Sequence, residues 1–181
     1  GGGAVSEATP VAPANDRSRR RVDAEATAAA WCSGRGTRCV ILRVPGIYGP
    51  GRLPIDRLRR GEPALAPGEA GPGNRIHLDD LVSACIAAVE RPVAGVFNVG
   101  DGNHASTTTY LQRVAALAGL PPPRLVSMDE ARSTISPGLL AFLVESRRID
   151  NPRMIEELGL RLAHADLDSG IEASLAEMRH G

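Results

Sequence analysis

At 181 residues, with 43% hydrophobic and 23% charged residues, the chain is long enough to bury one core of ordinary size. Its 21 basic and 21 acidic residues cancel and are interspersed, which argues against a nucleic-acid-binding stripe or an acidic tail and favours a small-molecule role. Every basic residue is arginine, so lysine catalysis is excluded. No apolar run of about 18 residues and no signal-type start occurs, so a cytoplasmic protein without membrane partners is expected.

Cys32, Cys39 and Cys85 are odd in number and lack a C-x-x-C spacing, so neither a disulfide framework nor a zinc site is indicated and no metal is expected. Buried thiols in a reducing compartment are the simpler reading. Gly1-Gly2-Gly3 has no strand before it, and the start reads as a loop cut within a longer protein, with a cloning scar as the alternative.

In chain order, the Gly-, Ala- and Pro-rich residues 1–14 predict an irregular loop. Asn15 or Asp16 caps a helix over Arg17–Ser33, ended by Gly34 or Gly36. The apolar run Arg38–Val44 predicts a strand buried on both faces, the pattern of a parallel sheet. Pro45–Pro54 is a Gly/Pro loop, Ile55–Arg60 a short helix, 61–73 a second loop, and Arg75–His77 a very short strand. Asp79 or Asp80 opens a helix to about Glu90, with Leu81, Cys85, Ala88 and Val89 on its apolar stripe. A strand follows at Gly95–Val99, then a helix from Ser106–Thr108 to Leu117. Short helices at Pro137–Ser146 and Asn151–Leu158 and an amphipathic helix over Asp168–Arg179 complete the chain.

Three segments carry a specific pattern: Arg43-Val44-Pro45-Gly46-Ile47-Tyr48-Gly49-Pro50-Gly51-Arg52, Asn74-Arg75-Ile76-His77-Leu78-Asp79-Asp80-Leu81, and Val96-Phe97-Asn98-Val99-Gly100-Asp101. Together they resemble the NAD-dependent epimerase/dehydratase family, the extended branch of the short-chain dehydrogenase/reductases. Ser146–Leu160 resembles the family's closing basic strand, Asn-led helix and Leu-Gly turn. No strand followed by a Gly-x-x-Gly-x-x-Gly turn precedes these segments, so the chain resembles the C-terminal portion. The resemblance implies an α/β, Rossmann-like NAD(P)-binding fold with its small substrate-side lobe. As one partial domain over 1–181, residues 1–44 would end the core, and 45–181 would supply the remaining strands and the lobe.

The resemblance also assigns roles. Val44, Pro45 and Ile47 would lie beside the nicotinamide, where a Gly/Pro backbone can approach a flat ring closely; the alternative is a tight turn leaving the sheet. Gly46, Arg52 and Arg75 are the substrate-side candidates. A guanidinium fork matches phosphate or carboxylate, although Arg52 reads equally as a solvated charge. Family members that handle nucleotide sugars often have asparagine where this chain has Gly46, and arginine where it has Gly73, so a nucleotide-sugar substrate is only weakly supported. The family's Tyr-x-x-x-Lys pair is replaced by Arg17 and Arg21, as in the atypical subgroup. A guanidinium stays protonated, so Arg17 cannot cycle a proton, whereas Arg21 could still donate to a ribose; a solvated helix face is the other reading of this cluster. Tyr48 reads as packing, His77 as a hydrogen-bonded structural histidine rather than a substrate ligand, and Asp79 and Asp80 as helix-start residues. Asn98, Gly100 and Asp101 read as turn residues, and no residue is assigned as catalytic.

Two functions from different classes stay open. One is an atypical NAD(P)-binding epimerase or oxidoreductase, with NAD or NADP as cofactor, a small-molecule substrate and a homodimer as one open arrangement. The other is a non-catalytic nucleotide sensor or scaffold on the same fold, to which a degenerate fragment without function is a further alternative.

Overall fold

The computed structural model describes residues 2–135, 138, 140 and 147–180. Among these, the elements run β1 (Ala4–Val5), α1 (Asp16–Ser33), β2 (Val40–Arg43), β3 (Gly46–Tyr48), α2 (Ile55–Arg59), β4 (Ala64–Leu65), β5 (Arg75–His77), α3 (Leu78–Glu90), β6 (Gly95–Asn98), α4 (Thr107–Leu117), β7 (Leu125–Val126), α5 (Met128–Thr134), β8 (Arg148–Ile149), α6 (Pro152–Glu156) and α7 (Leu167–His180). The expected helix over Pro137–Ser146 falls mostly outside the described residues. No helix among the described residues is long and apolar enough to cross a membrane.

All strand pairs are parallel: β2 with β6, β3 with β5, β4 with β7 and β1 with β8. Parallel partners require crossover connections, which is why every pair joins strands distant in sequence. The β2–β6 ladder runs from Val40 opposite Gly95 to Arg43 opposite Asn98. The β3–β5 ladder sets Gly46 opposite Arg75 and Tyr48 opposite His77.

Local chemistry explains the helix starts. Asn15 caps α1 by a reciprocal box, its side chain accepting the Ser18 N–H while Ser18 Oγ accepts the Asn15 N–H. Ser106 caps α4 through the Thr109 N–H. The cap of α3 differs from expectation: it is His77, whose Nδ1 accepts the Asp79 N–H at 3.2 Å, and both aspartates fall in the first turn. There they still complement the helix dipole.

The core has three parts. Tyr48, Leu58, Leu111, Val114 and Ile171 join β3, α2, α4 and α7. Ile76, Phe97, Val99, Met154 and Leu158 join β5, β6 and α6. Leu65, Val126, Ala131 and Ile135 form the third, around β4 and β7.

Several expectations need correction. The loops predicted at 1–14, 45–54 and 61–73 each contain a short strand, and β7 and α5 are additional. Strands of two or three residues are too short to show periodicity and are set by their partners. Each residue of β2 is only half-buried and α1 buries none of its side chains, so the strand is not enclosed on both faces. The stripe on α3 is rotated, with Leu81, Ala84 and Ala88 packed inward while Cys85 and Val89 are exposed. The thiols are not buried: Cys32 and Cys39 are half-buried and Cys85 is exposed.

Candidate functional site

The carboxyl end of the β2–β6 pair meets the beginning of the β3–β5 pair. Val99 N–H donates to the Arg43 carbonyl at 3.0 Å, Asp101 N–H to the Arg75 carbonyl at 2.9 Å, and Gly46 N–H to the Asn74 carbonyl at 3.3 Å. Three segments singled out in the sequence, 43–48, 74–77 and 98–101, therefore converge on one junction. Carboxyl ends of parallel strands are where open α/β sheets bind ligands.

A buried polar cluster lies at this junction. The Arg75 guanidinium sits 4.7 Å from the centroid of the Tyr110 ring, a cation–π arrangement, and Tyr48 and Tyr110 meet edge to face at 5.9 Å. Asp101 Oδ1 accepts the Asn103 N–H at 2.8 Å. Four buried polar atoms of this cluster have no partner among the described residues: Tyr48 Oη, Tyr110 Oη, Arg75 Nη1 and Asp101 Oδ2. Buried polar groups are nearly always satisfied, and unpaired ones point to function, strain or bound water.

The electrostatics follow from burial. Desolvation pushes the Asp101 carboxyl up to about 6, against the opposing pull of the Asn103 N–H and the Arg75 charge. It also pushes both tyrosine hydroxyls well above their usual range, with the Asp101 carboxylate adding to the effect at Tyr48. Both tyrosines are therefore held in the protonated form at neutral pH.

Val44, Pro45 and Ile47 are half-buried along this junction and Gly46 is exposed. A Cβ at Gly46 would stand 3.4 Å from the Asn74 carbonyl oxygen. Gly73 is different: a Cβ there would come within 2.9 Å of both the Ala105 carbonyl oxygen and Arg75 Nη2, so the Arg75 side chain fills the space beside it. Arg52 is exposed on the following loop, whereas Arg75, at 5% exposure, forms part of the floor. Arg17 and Arg21 are exposed on α1. That helix is fastened to β2 by a bidentate pair, with Arg43 Nε and Nη2 donating to the Glu25 carboxylate at 2.7–3.2 Å.

His77 is a structural, hydrogen-bonded histidine, 1% exposed, with Nε2 3.1 Å from Ser174 Oγ. Asp80 is buried, and its carboxylate accepts the Ala163 and His164 N–H groups at 2.7 and 3.1 Å. Asn98 ties down the N-terminal segment, its N–H donating to Glu7 Oε1 at 2.8 Å. Sequence reasoning missed Asp101 and Tyr110 as cluster members. The local signal at Asp101 was that of a turn residue, whereas the charges and hydroxyl that act on it belong to Arg75 and Tyr48 in other segments.

No family model matches the chain. Protein YeeZ of Escherichia coli K12 is 30% identical over 167 residues, covering 91% of this chain and 54% of YeeZ. A 3-diazoavenalumate denitrifying reductase of Streptomyces is 31% identical over 143 residues, covering 73% of this chain and 45% of that protein. The chain thus spans about half the length of these relatives. Among solved structures, a conserved protein of unknown function from Silicibacter pomeroyi superposes with a TM-score of 0.85 at 35% identity, covering 97% of this chain and 61% of that one. The human epimerase family protein SDR39U1 with NADPH superposes with a TM-score of 0.78 at 20% identity, covering 96% and 59%. The chain has the Rossmann-like fold of NAD(P)-binding, NAD-dependent epimerase/dehydratase-family proteins and resembles their C-terminal portion.

Proposed function

We propose that the chain is the substrate-side portion of an atypical NAD(P)-binding oxidoreductase or epimerase of the epimerase/dehydratase type, acting on a small molecule. The observation that carries this reading is the convergence of 43–48, 74–77 and 98–101 at the carboxyl end of the β2–β6 pair. In this reading Val44, Pro45 and Ile47 face the nicotinamide, Gly46 and Arg52 face the substrate, and Arg75 supports the substrate side from beneath. Arg21 is one helical turn before Glu25, which holds Arg43 at the end of β2. It is therefore on the helix face that accompanies the Val44–Pro45 turn, and there it donates to the cofactor ribose. The bound nicotinamide cofactor would supply hydride transfer. The sequence contains no glycine turn of the type that holds a pyrophosphate, so this chain alone binds the cofactor weakly or not at all.

A non-catalytic nucleotide sensor or scaffold is the second reading. It is favoured by the arginines at positions 17 and 21, where the family resemblance would place the tyrosine and lysine. Neither reading rests on nucleotide sugars, because the position of the arginine found in family members handling them is Gly73, whose side-chain space is filled.

Calorimetric titration of NAD(H) and NADP(H) into this chain, and into the same polypeptide extended upstream to its natural start, tests the proposal. Binding by the extended form alone is expected, weakened at least tenfold by Arg21→Ala. Absence of binding by both forms refutes cofactor use and leaves the scaffold reading.

A further inference from the structure

Two histidines from different elements lie against each other beside the start of α3. His77 ends β5, His164 belongs to the loop before α7, and their ring centroids are 3.8 Å apart with a 40° tilt. We propose that this stack is a pH-sensitive latch, closed while His77 is neutral and opened when a proton reaches His77 Nδ1, which uncaps α3 and releases the His164 side chain. His77 stands opposite Tyr48 in the β3–β5 ladder, so the latch couples acid to the strand pair that carries the candidate site.

Hydrogen bonding fixes the neutral tautomer. Ser174 Oγ donates to the Gly170 carbonyl oxygen at 2.6 Å, which uses its single hydrogen. The contact of 3.1 Å between Ser174 Oγ and His77 Nε2 then requires the ring hydrogen to be on Nε2. Nδ1 keeps its lone pair, which accepts the Asp79 N–H at 3.2 Å as the cap of α3. Both ring nitrogens are committed, and a second proton can enter only by displacing the cap. It would set one donor against another and leave the Asp79 N–H without its acceptor. The acceptor within reach of a protonated Nδ1 is Asp79 Oδ2 at 3.4 Å. That oxygen already faces His164 Nε2 at 3.2 Å, so turning it to His77 takes it from His164.

The groups around His77 come from every neighbouring element. Burial is the largest influence and a charge on His164 the next, and both hold the His77 imidazole below its ordinary 6.5. The carboxylates of Asp79 and Asp80 on α3 and of Glu177 on α7 oppose them. Tyr48 on β3 meets the ring edge to face at 5.1 Å and is uncharged in this range. The closed state therefore binds fewer protons than an opened one. Its stability is fully present above 6.5 and is lost as pH falls below that value. The backbone of the 163–164 segment stays tied by its N–H groups to the Asp80 carboxylate, so the His164 side chain is the part that swings away.

The test combines nitrogen-15 spectra of the histidine rings with hydrogen-exchange mass spectrometry of the whole chain between pH 7.5 and 5, corrected for intrinsic exchange rates. His77 should be the Nε2–H tautomer at pH 7.5 and titrate below 6.5. Protection over 78–82 and 162–166 should fall with acid by up to about tenfold per pH unit, the limit for one proton taken up on opening, while α4 changes less. His77→Asn offers a capping oxygen in place of Nδ1 and cannot be protonated, so it should flatten this dependence. His164→Gln removes the opposing charge and should shrink the acid loss, and His180→Ala should leave it unchanged. An Nδ1–H tautomer at neutral pH, titration of His77 at or above 6.5, or a wild-type acid response in His77→Asn overturns the latch. Should His77→Asn not fold, the tautomer and the response of His164→Gln decide in its place, and an unreduced acid loss in His164→Gln then overturns it.

Discussion

The substitution Asp101→Asn keeps the shape of the side chain and removes a charge from the buried cluster. The Asp101 carboxyl is held up to about 6 against an ordinary 3.8. Between these values the folded chain binds more protons at this residue than the unfolded chain, so its contribution to stability is present in acid and is lost as pH rises towards 6. The rise corresponds to about 3 kcal/mol against the carboxylate at pH 7. The amide of the variant cannot ionise and escapes that penalty. The attraction of the Arg75 charge for the carboxylate is already contained in that value, because it pulls the carboxyl down against the larger effect of burial. Urea unfolding followed by far-ultraviolet circular dichroism from pH 4.5 to 7.5 measures both chains. The difference in unfolding free energy should move in favour of the variant as pH increases to about 6 and then level off. Parallel curves, or a difference that moves the opposite way, would refute a buried, destabilised carboxyl at this position.

Gly170 on α7 faces Tyr48, and a Cβ there would collide with the Tyr48 hydroxyl and lie 3.1 Å from Cε2 and Cζ. Gly170→Ala should therefore cost about 1–3 kcal/mol, lowering the thermal midpoint by several degrees. Tyr48→Phe alone should cost less than about 1 kcal/mol, because its hydroxyl has no partner among the described residues, and it should recover part of the Gly170→Ala loss in the double variant. Because α1 buries no side chain and is joined to β2 through Glu25 and Arg43, its amides should exchange faster than those of β2, β6 and α3 in hydrogen-exchange mass spectrometry. Glu25→Gln should accelerate that exchange further. The half-buried β2 also predicts a broad thermal transition for the isolated chain, and a sharp, cooperative, monomeric melt would contradict this.

The α/β class, the parallel pairing and the main helices were legible in the sequence because each has a local cause. A capping box stands at Asn15, a serine cap at Ser106, an apolar run at 40–43, and glycine or proline at the element ends. The segments around 43–52, 74–81 and 96–101 were also recognisable one at a time. Their convergence was not, since strands of two to four residues acquire register only from partners far along the chain, as Gly46 does from Arg75 and Ala4 from Arg148. The same holds for chemistry. Composition showed that every basic residue of this chain is arginine, and the resemblance alone suggested that Arg17 and Arg21 stand at the positions of the family's tyrosine and lysine. The burial of Asp101 within reach of the Arg75 charge, and the placement of His164 against His77, needed the tertiary structure. Sequence spacing determines which side chains share a helix face or strand edge, whereas dielectric environment and the distances between side chains of different elements depend on groups that only folding brings together.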